Sequence, residues 1–213
     1  MSGFEDRKEY AKGLLTEEGI RDVGATMMEW IQAAKAADPT DYNAMTLSTL
    51  GKDGHPNARV VLLRSLEEVA GGPAMAFYTN YQSQKGRELD EHPHAAATFF
   101  WREQERQLRV RGRVLRMSAE ASDRYFSSRP RDSRIGAWAS QQSQKTMGRK
   151  DLENQWAIFD QRFGEEVPRP AHWGGYLLVV EEVEFWQGRP GRMHDRIKAT
   201  KSEQGWTKER LQP

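Results

Sequence analysis

The sequence predicts a mainly β protein of the α+β class, in which the strands close wholly or partly into a barrel and helices flank it. Short apolar runs separated by turns containing glycine and proline recur through the chain, as is typical of antiparallel sheets. One run alternates strictly, with Leu108 and Val110 against Arg109 and Arg111, which indicates a strand with one buried face. About six or seven mostly antiparallel strands are predicted. Because no linker divides the chain, we predict one domain over residues 1–213.

The first predicted element is a helix over residues 16–37. Its apolar residues recur at helical spacing, and Thr16, followed by two glutamates, is placed to open it. Pro39 lies just beyond the predicted end of the helix. Two apolar runs around the turn sequence GKDGHP then predict a hairpin over residues 43–66.

The remaining elements alternate between strands and helices as far as a C-terminal hairpin. Pro93 ends a short helix, and Ser118 is placed to cap the helix that follows the alternating strand. A later amphipathic helix carries Leu152, Trp156 and Phe159 on one stripe. The predicted strands cover residues 74–80, 95–101, 106–118, 173–188 and both arms of a hairpin over 196–213, and the predicted helices cover 83–93, 118–130 and 150–163.

Composition excludes several classes of function. The chain has 32 Lys and Arg residues against 31 Asp and Glu, and this balance argues against a nucleic-acid binder, which needs a basic excess. It has no cysteine, so disulfides and thiolate metal sites are excluded, and its five histidines lack the HExxH spacing, so no metal is predicted. No run approaches the roughly 20 apolar residues of a membrane helix. The polar start MSGFEDRKEY lacks the apolar core of a signal peptide, so we expect a cytoplasmic protein.

Two clusters of cationic and hydroxyl residues in the first half of the chain are candidates for ligand binding. Arg59 and Arg64 bracket an apolar run, and five positions place them on opposite faces of a regular strand. The second cluster lies where a strand ends and a helix begins, and the hydroxyls and lysine found there suit a phosphate group. An ordinary capped helix is an equal alternative for it. Its members are Tyr78, Thr79, Ser83 and Lys85.

A third cluster is concentrated around a proline in the stretch DRYFSSRPRDSRIGAWASQQS. Arginine presents a planar fork of donors that can hold a phosphate with two hydrogen bonds. A solvated turn is the alternative, but Ile135 and Trp138 within the stretch indicate that it packs against something. Two phosphate-type clusters predict two phosphorylated small ligands, although neither a P-loop nor a GxGxxG motif is present. The polar members of this cluster are Tyr125, Arg129, Arg131, Ser133 and Arg134, followed by Gln142 and Ser143.

The stretch EFWQGRPGRMHDR carries a further group of cationic residues. Arg192, His194 and Arg196 occupy alternate positions, which on an extended chain point to one side. Three such neighbours should repel one another, so the spacing raises the question of what lies opposite them. A solvated basic turn before the last hairpin is the alternative.

Taken together, these motifs resemble the pyridoxine (pyridoxamine) 5′-phosphate oxidase family. The resemblance covers essentially the whole chain, from DRKEYAKGLL to RLQP. It implies an FMN-binding split β-barrel that forms a homodimer with FMN at the subunit interface, and a flexible N-terminal segment over about residues 1–15. The motifs, in family order, are RVVLLR, FYTNYQSQKGREL, ERQLRVRG, YFSSRPRDSRIGAWASQQS, WGGY and EFWQG followed by RMHDR.

The resemblance also implies site residues. Arg192 and His194 are the expected catalytic residues. Two departures concern affinity, because the family often has Lys where this chain has Arg64 and Arg where it has Gln84. The implied FMN contacts are Arg59, Val60, Val61, Leu62, Leu63, Arg64, Tyr78, Thr79, Gln84, Lys85, Gln107, Gln142, Ser143, Trp186 and Arg196. The implied substrate contacts are Arg7, Lys8, Glu9, Tyr10, Arg64, Tyr125, Arg129, Ser133, Arg192, Met193 and His194.

The implied reaction is the oxidation of pyridoxine 5′-phosphate or pyridoxamine 5′-phosphate to pyridoxal 5′-phosphate, with dioxygen reduced to hydrogen peroxide. Arg192 and His194 are expected over the substrate ring and its reacting carbon. Arg196 is expected to face the flavin, where a positive charge stabilises the reduced, anionic ring. Pyridoxal phosphate biosynthesis and salvage is the implied role.

Three alternatives stay open on the sequence. The first is a split-barrel flavin oxidoreductase with a different substrate, and the second is a carrier of flavin or pyridoxal phosphate without turnover. The third is a nucleic-acid binder that uses the arginine-rich strand from Arg106 to Arg116, which the charge balance disfavours.

Overall fold

The computed structural model describes residues 9–213, which form one antiparallel sheet with helices around it. The predicted mainly β, α+β fold is confirmed. Within these residues the strands are β1 (Ala44–Leu50), β2 (Pro56–Leu62), β3 (Ser65–Val69), β4 (Gly72–Asn80), β5 (His94–Trp101), β6 (Arg106–Arg116), β7 (Trp173–Gln187), β8 (Asp195–Ser202) and β9 (Gly205–Arg210). The helices are α1 (Val23–Ala37), α2 (Gln84–Glu91), α3 (Ala119–Ser127), α4 (Arg131–Ala139) and α5 (Arg149–Arg162), and a 3₁₀ turn covers Pro190–Arg192.

Helix α1 begins later than the sequence predicted. Asp22 is its N-cap, because the Asp22 carboxylate accepts a hydrogen bond of 2.7 Å from the backbone N–H of Ala25. Thr16 instead closes a separate turn, in which its hydroxyl accepts from the N–H of Gly19 at 3.2 Å. The predicted start at Thr16 was therefore wrong, since the Thr16 hydroxyl bonds within a local turn rather than at the helix end.

The second arm of the predicted hairpin is divided into two strands. Strand β2 pairs with β1 and ends at Leu62, whereas β3 starts at Ser65 and pairs with β4. Between them, the N–H groups of Leu63 and Arg64 bond to the carbonyls of Asn43 and Ala76, on different neighbours. This division is one reason why the described residues contain nine strands rather than about six or seven.

Strand β7 is shared by two parts of the sheet. It pairs with β6 along one edge; on the other edge, its first half pairs with β4 and its second half with β8. The register shifts at Gly112 of β6, where an added Cβ atom would clash with the carbonyl oxygen of Val179. The sheet therefore forks at β7. The strand order is β2-β1-β5-β6-β7-β4-β3, with β8 on β7 and β9 on β8.

Two apolar clusters hold the elements together. The larger one packs α1 against the sheet and includes Met27, Phe77, Phe99 and Phe185, each fully buried. Burying a side chain of this size stabilises a fold by about 1.5–3 kcal/mol. The smaller one joins α3, α4 and α5 to the start of β7, with Ile135 at its centre. Among residues 9–213, no helix is long and apolar enough to cross a membrane.

Helix α4 was not predicted. Ile135 is fully buried and the Trp138 indole N–H donates to the carbonyl of Pro168 at 2.7 Å, so the predicted packing of this stretch is confirmed. Arg131 forms an ion pair with Asp160 and donates to the carbonyl of Phe163 at 2.7 Å. This arginine, grouped with ligand-binding candidates on the sequence, therefore fastens α4 to α5.

Candidate active site

A buried lysine lies where β4 ends and α2 begins. The Lys85 ammonium group donates to Thr79 Oγ1 at 3.1 Å, Ser83 Oγ at 3.4 Å and Gln142 Oε1 at 2.8 Å. Ser83 also caps α2 by accepting from the N–H of Gly86 at 3.3 Å. We call these residues, with Arg59, the Lys85 cradle. Its hydroxyl and amide groups can turn their donors towards an anion.

The charge of the cradle is positive and only partly compensated. Burial, and to a lesser extent the charge of nearby Arg59, lower the pKa of Lys85 to about 8. Arg59 forms an ion pair of 3.1 Å with Glu88, which is buried. The other oxygen of Glu88 accepts from Gln84 at 2.9 Å. The described acceptors of the buried Lys85 ammonium group are all neutral, so its charge is not paired there. Such a group is suited to bind the phosphate of a mononucleotide cofactor.

A second group of side chains surrounds a cavity of about 270 Å³ beside the cradle. The Arg129 guanidinium lies 4.7 Å from the centre of the Trp173 ring. Its buried Nη1 atom has no hydrogen-bond partner among the described residues. Ser133 lines the same cavity, and so does Gln142 of the cradle, which makes the two sites contiguous. We call this space the Arg129 cavity.

An aromatic stack forms one side of this region. Tyr78 and Tyr125 lie face to face with 3.8 Å between ring centres, and Trp173 continues the stack at 5.6 Å from Tyr78. The exposed guanidinium of Arg64 lies 5.8 Å from the centre of the Tyr125 ring. The structure thus gathers around this stack and cavity the four residues expected to hold the substrate phosphate: Arg64, Tyr125, Arg129 and Ser133.

A different group lies at the opposite end of β7. Gln107, Trp186 and Arg196 are direct neighbours across β6, β7 and β8. The Arg196 guanidinium makes two hydrogen bonds to Glu184, of 2.8 and 3.1 Å. The Trp186 ring lies 4.7 Å from the ring of His194. Three of the expected FMN contacts and one expected catalytic residue therefore meet here.

His194 has a defined protonation state in this arrangement. Its Nδ1 atom accepts a hydrogen bond of 3.1 Å from the backbone N–H of Arg189, so the neutral ring carries its proton on Nε2. Burial and the charge of Arg192 both lower the pKa of His194. The neutral ring can therefore donate a hydrogen bond from Nε2.

The expectation that Arg192, His194 and Arg196 share an extended chain was wrong. Gly191 and Arg192 have φ angles of 63° and 62°, and the 3₁₀ turn ends at Arg192. Positive φ is unfavourable for a residue with a Cβ atom and is often kept at functional sites. Arg192 is exposed, and the turn separates it from the strand that carries Arg196.

The remaining expected contacts differ in exposure. On β2, Val60 and Leu62 point outward with 66% and 39% exposure and Val61 is half-buried, whereas Leu63, just after the strand, is buried. Ser143, next to Gln142, has a φ angle of 70°. The other expected substrate contacts have different environments. Glu9 and Met193 are exposed and Tyr10 packs on Trp186, whereas Arg7 and Lys8 lie outside the described residues.

Sequence reasoning missed two residues of this region. Trp173, which supports Arg129, was noted in WGGY as part of a strand only. Glu88 lies four residues after Gln84 on α2, and i,i+4 spacing was the available indication that the two side chains meet.

Comparison with known proteins places the chain in a family. The sequence model described as "Pyridoxamine 5′-phosphate oxidase" matches residues 17–155. The chain belongs to the pyridoxamine 5′-phosphate oxidase family. A second model, described as "Pyridoxine 5′-phosphate oxidase C-terminal dimerisation region", matches residues 173–213. A pyridoxine/pyridoxamine 5′-phosphate oxidase of Burkholderia multivorans is 48% identical over 211 residues, which are 97% of each chain.

Solved structures confirm the split-barrel fold. PhzG from Burkholderia lata, in complex with tetrahydrophenazine-1-carboxylic acid, is 26% identical with a TM-score of 0.85 over 95% of this chain and 100% of its own. An FMN-binding protein of Nostoc punctiforme, related to pyridoxamine 5′-phosphate oxidase, has a TM-score of 0.71 at 16% identity, over 94% of this chain and 100% of its own. Family membership supports FMN as the cofactor, as the resemblance implied.

If the Lys85 cradle holds the FMN phosphate, FMN binding by the apoprotein should depend on pH. A phosphate favours the charged lysine, so FMN affinity should be constant below the pKa of about 8 and should fall above it. The decline should approach about tenfold per pH unit, because binding requires one proton, the one on Lys85. The FMN phosphate adds no further pH dependence in this range, since it loses its last proton near about pH 6. Quenching of flavin fluorescence between pH 6.5 and 9.5 measures this directly.

The matched control is Lys85→Arg, whose guanidinium stays charged throughout that range. Its FMN affinity should show no decline above pH 8. An equally flat profile in the wild-type protein would contradict the role of Lys85 as a phosphate contact.

Proposed function

We propose that the protein is an FMN-dependent oxidase that converts pyridoxine 5′-phosphate or pyridoxamine 5′-phosphate to pyridoxal 5′-phosphate, with dioxygen reduced to hydrogen peroxide. The observation that carries the proposal is the buried Nη1 atom of Arg129, which has no hydrogen-bond partner within residues 9–213. A buried guanidinium donor without an acceptor is costly, and an anionic ligand in the Arg129 cavity supplies the acceptor. Ser133 in the same cavity offers a hydroxyl donor to that ligand.

A second copy of the chain is needed to complete the site. Thr79 of the Lys85 cradle pairs with Gly174 at one end of β7, and Trp186 lies twelve positions further along. At about 3.3 Å per residue, these ends are roughly 35–40 Å apart along the strand, too far for one FMN to contact both. The model of the C-terminal dimerisation region matches residues 173–213, which include Trp186 and Arg196. A homodimer in which each FMN lies between the subunits brings the two ends together.

The proposed roles of the residues follow from this arrangement. Bound FMN supplies the chemistry of accepting two electrons from the substrate carbon and passing them to dioxygen. Arg129 and Ser133 of one subunit hold the substrate phosphate and so orient the reacting carbon. Arg192 and His194 of the other subunit face that carbon, where the Nε2–H group of His194 can donate a hydrogen bond to the substrate oxygen or nitrogen and so orient the substrate.

The similarity to PhzG favours a second candidate. That protein has been solved with tetrahydrophenazine-1-carboxylic acid, and its fold matches this chain over nearly its whole length. A carboxylate could accept from Arg129 as a phosphate does, so an oxidase of a cyclic carboxylic acid is the alternative. A phosphate group, with three terminal oxygens, makes fuller use of Arg64, Arg129 and Ser133 together.

The test is the visible spectrum of the FMN-loaded protein without oxygen, before and after each substrate is added. Bleaching of the flavin band by pyridoxine or pyridoxamine 5′-phosphate, and its return in air as pyridoxal 5′-phosphate appears, is the expected result. The same substrates without their phosphate are the control and should bleach the band far more slowly. A band that stays unchanged with both phosphorylated substrates would overturn the proposal and favour the carboxylic-acid alternative.

A further inference from the structure

We propose that Glu105 is a positioning residue for the active site, because its carboxylate fastens the N-terminal segment and thereby seats Tyr10 against Trp186 and His194. Glu105 lies in the turn between β5 and β6, more than 90 residues away from that segment in sequence. The proposal rests on the proposed function, in which His194 faces the substrate.

The contact is made by a buried carboxylate and two backbone amides. Glu105 is 3% exposed, and its Oε2 atom accepts from the N–H of Ala11 at 2.8 Å and of Lys12 at 2.9 Å. Hydrogen bonds to an ionised acceptor are shorter and stronger than those between neutral groups. The two amides also belong to successive residues, so a single carboxylate oxygen fixes the direction of the chain there.

The backbone conformation of Glu105 is unfavourable for a glutamate, which indicates that its carboxylate has a specific role. Its φ angle is 54°, in the left-handed region that favours glycine or asparagine in a hairpin turn. A residue with a Cβ atom is disfavoured in this conformation, and glycine would remove the strain. The position nevertheless carries a glutamate whose side chain turns inward.

A second buried side chain ties the same segment to β7. Gln187 is 1% exposed and donates from Nε2 to the carbonyl of Lys12 at 2.5 Å, while its Oε1 accepts from Arg106 at 2.9 Å. A Cβ atom at Gly13, whose φ angle is 76°, would lie 2.8 Å from this Oε1 atom. The chain can therefore pass Gln187 at this distance because residue 13 is glycine.

The fastened segment places Tyr10 over the site. The Tyr10 ring lies edge-on to Trp186 at 5.5 Å and to His194 at 5.7 Å between ring centres. A Cβ atom at Gly188 would come within 2.6 Å of the Tyr10 ring, so this glycine leaves the space that the ring fills. Because Ala11 follows Tyr10 directly, loss of the Glu105 contact frees the ring from this position.

The experiment compares Glu105→Gly, Glu105→Gln and Glu103→Ala with the wild-type FMN-loaded protein. Glycine removes the carboxylate and also relieves the backbone strain, so this variant should unfold thermally no earlier than the wild type. Glutamine keeps an acceptor oxygen and should rescue most of the effect. Glu103 lies in the same turn with an exposed side chain and serves as the surface control.

Two readouts separate fastening from positioning. In Glu105→Gly, the amides of Ala11 and Lys12 should exchange with deuterium roughly 10- to 100-fold faster, the range expected for lost charge-assisted hydrogen bonds. KM for pyridoxamine 5′-phosphate should rise about tenfold, kcat should change less, and FMN content should stay the same. Glu103→Ala should match the wild type in every measurement.

Unchanged amide exchange in Glu105→Gly would overturn the proposal. Faster exchange with an unchanged KM would overturn the positioning role, since the contact would then be structural only. A wild-type protein that oxidises neither phosphorylated substrate would refute the proposed function instead. In that case the exchange comparison still decides whether Glu105 fastens the segment.

Discussion

Arg129→Ala should raise KM for either phosphorylated substrate about 100-fold and change kcat much less, because a lost charge-assisted contact to a phosphate costs about 3 kcal/mol. The Arg129 guanidinium is held on the Trp173 ring, and its buried Nη1 atom has no partner among the described residues. Burial also lowers the pKa of Arg129, and a bound phosphate would stabilise its charged form. Steady-state kinetics with a saturating range of substrate measures both constants.

Two further variants test the assignment of Arg129. Arg129→Lys keeps the charge but loses the planar fork, so its KM should fall between those of the wild type and the alanine variant. Arg124→Ala removes an exposed arginine from α3, the helix that ends just before Arg129, and should leave KM unchanged. A wild-type KM in Arg129→Ala, with FMN bound normally, would show that the phosphate binds elsewhere.

Arg192→Ala should lower kcat about 100- to 1000-fold, the usual loss when a donor that acts in the transition state is removed. KM should change little, because Arg192 is not expected to hold the phosphate. The positive φ of 62° at Arg192 supports a functional role, since the strain is otherwise unexplained. The rate of flavin bleaching without oxygen isolates the affected step from reoxidation in air.

The same variant should move the pH profile. Burial and the charge of Arg192 lower the pKa of His194, so the alanine variant should let that pKa rise towards its ordinary value. Protonation would place a proton on the Nδ1 atom that accepts from the Arg189 N–H, so this arrangement requires the neutral ring, and in the variant the protonated form would dominate up to a higher pH. The acidic limb of kcat should therefore shift to higher pH, and an unshifted limb would argue against coupling between these two residues.

Mixed dimers test whether both residues serve one site. If Arg129 and Arg192 of different subunits meet, a dimer with one Arg129→Ala chain and one Arg192→Ala chain contains one intact site. At a substrate concentration well below the raised KM, where both variants are nearly inactive, random reassociation should then restore about a quarter of wild-type activity. No recovery, with dimers reformed normally, would mean that each chain builds its own complete site.

Local features of this fold were predictable from the sequence. Ser83 caps α2 as the cluster of hydroxyls and Lys85 indicated, and the alternation around Leu108 and Val110 gave the buried face of β6 correctly. Both depend on residues within a few positions of each other, where hydrogen-bond competition and side-chain periodicity act directly. Membership of the family was likewise predictable, because several short motifs occur in one order.

Features that depend on distant contacts were not predictable. Gln142 reaches Lys85 across 57 positions, and α4 is held by Arg131 bonding to α5 rather than by a strong helical pattern. The alternate spacing of Arg192, His194 and Arg196 gave a wrong prediction because Arg192 belongs to the 3₁₀ turn Pro190–Arg192 and not to an extended chain. The spacing alone does not reveal this turn. Which of the expected residues touch cofactor or substrate stays a prediction.

The shared strand β7 limits how the length of this chain can vary during evolution. One inserted or deleted residue in a strand sends all later side chains to the opposite face. In β7 such a change would alter the pairing with β4, β6 and β8 together. The side chains near Gly174 and Trp186 would then no longer keep their relative orientation. Turns such as the one between Ser202 and Gly205 carry no such penalty. Lineages should therefore differ in length at their turns and keep the number of residues in β7 constant, because this number sets the distance between the Lys85 cradle and Trp186.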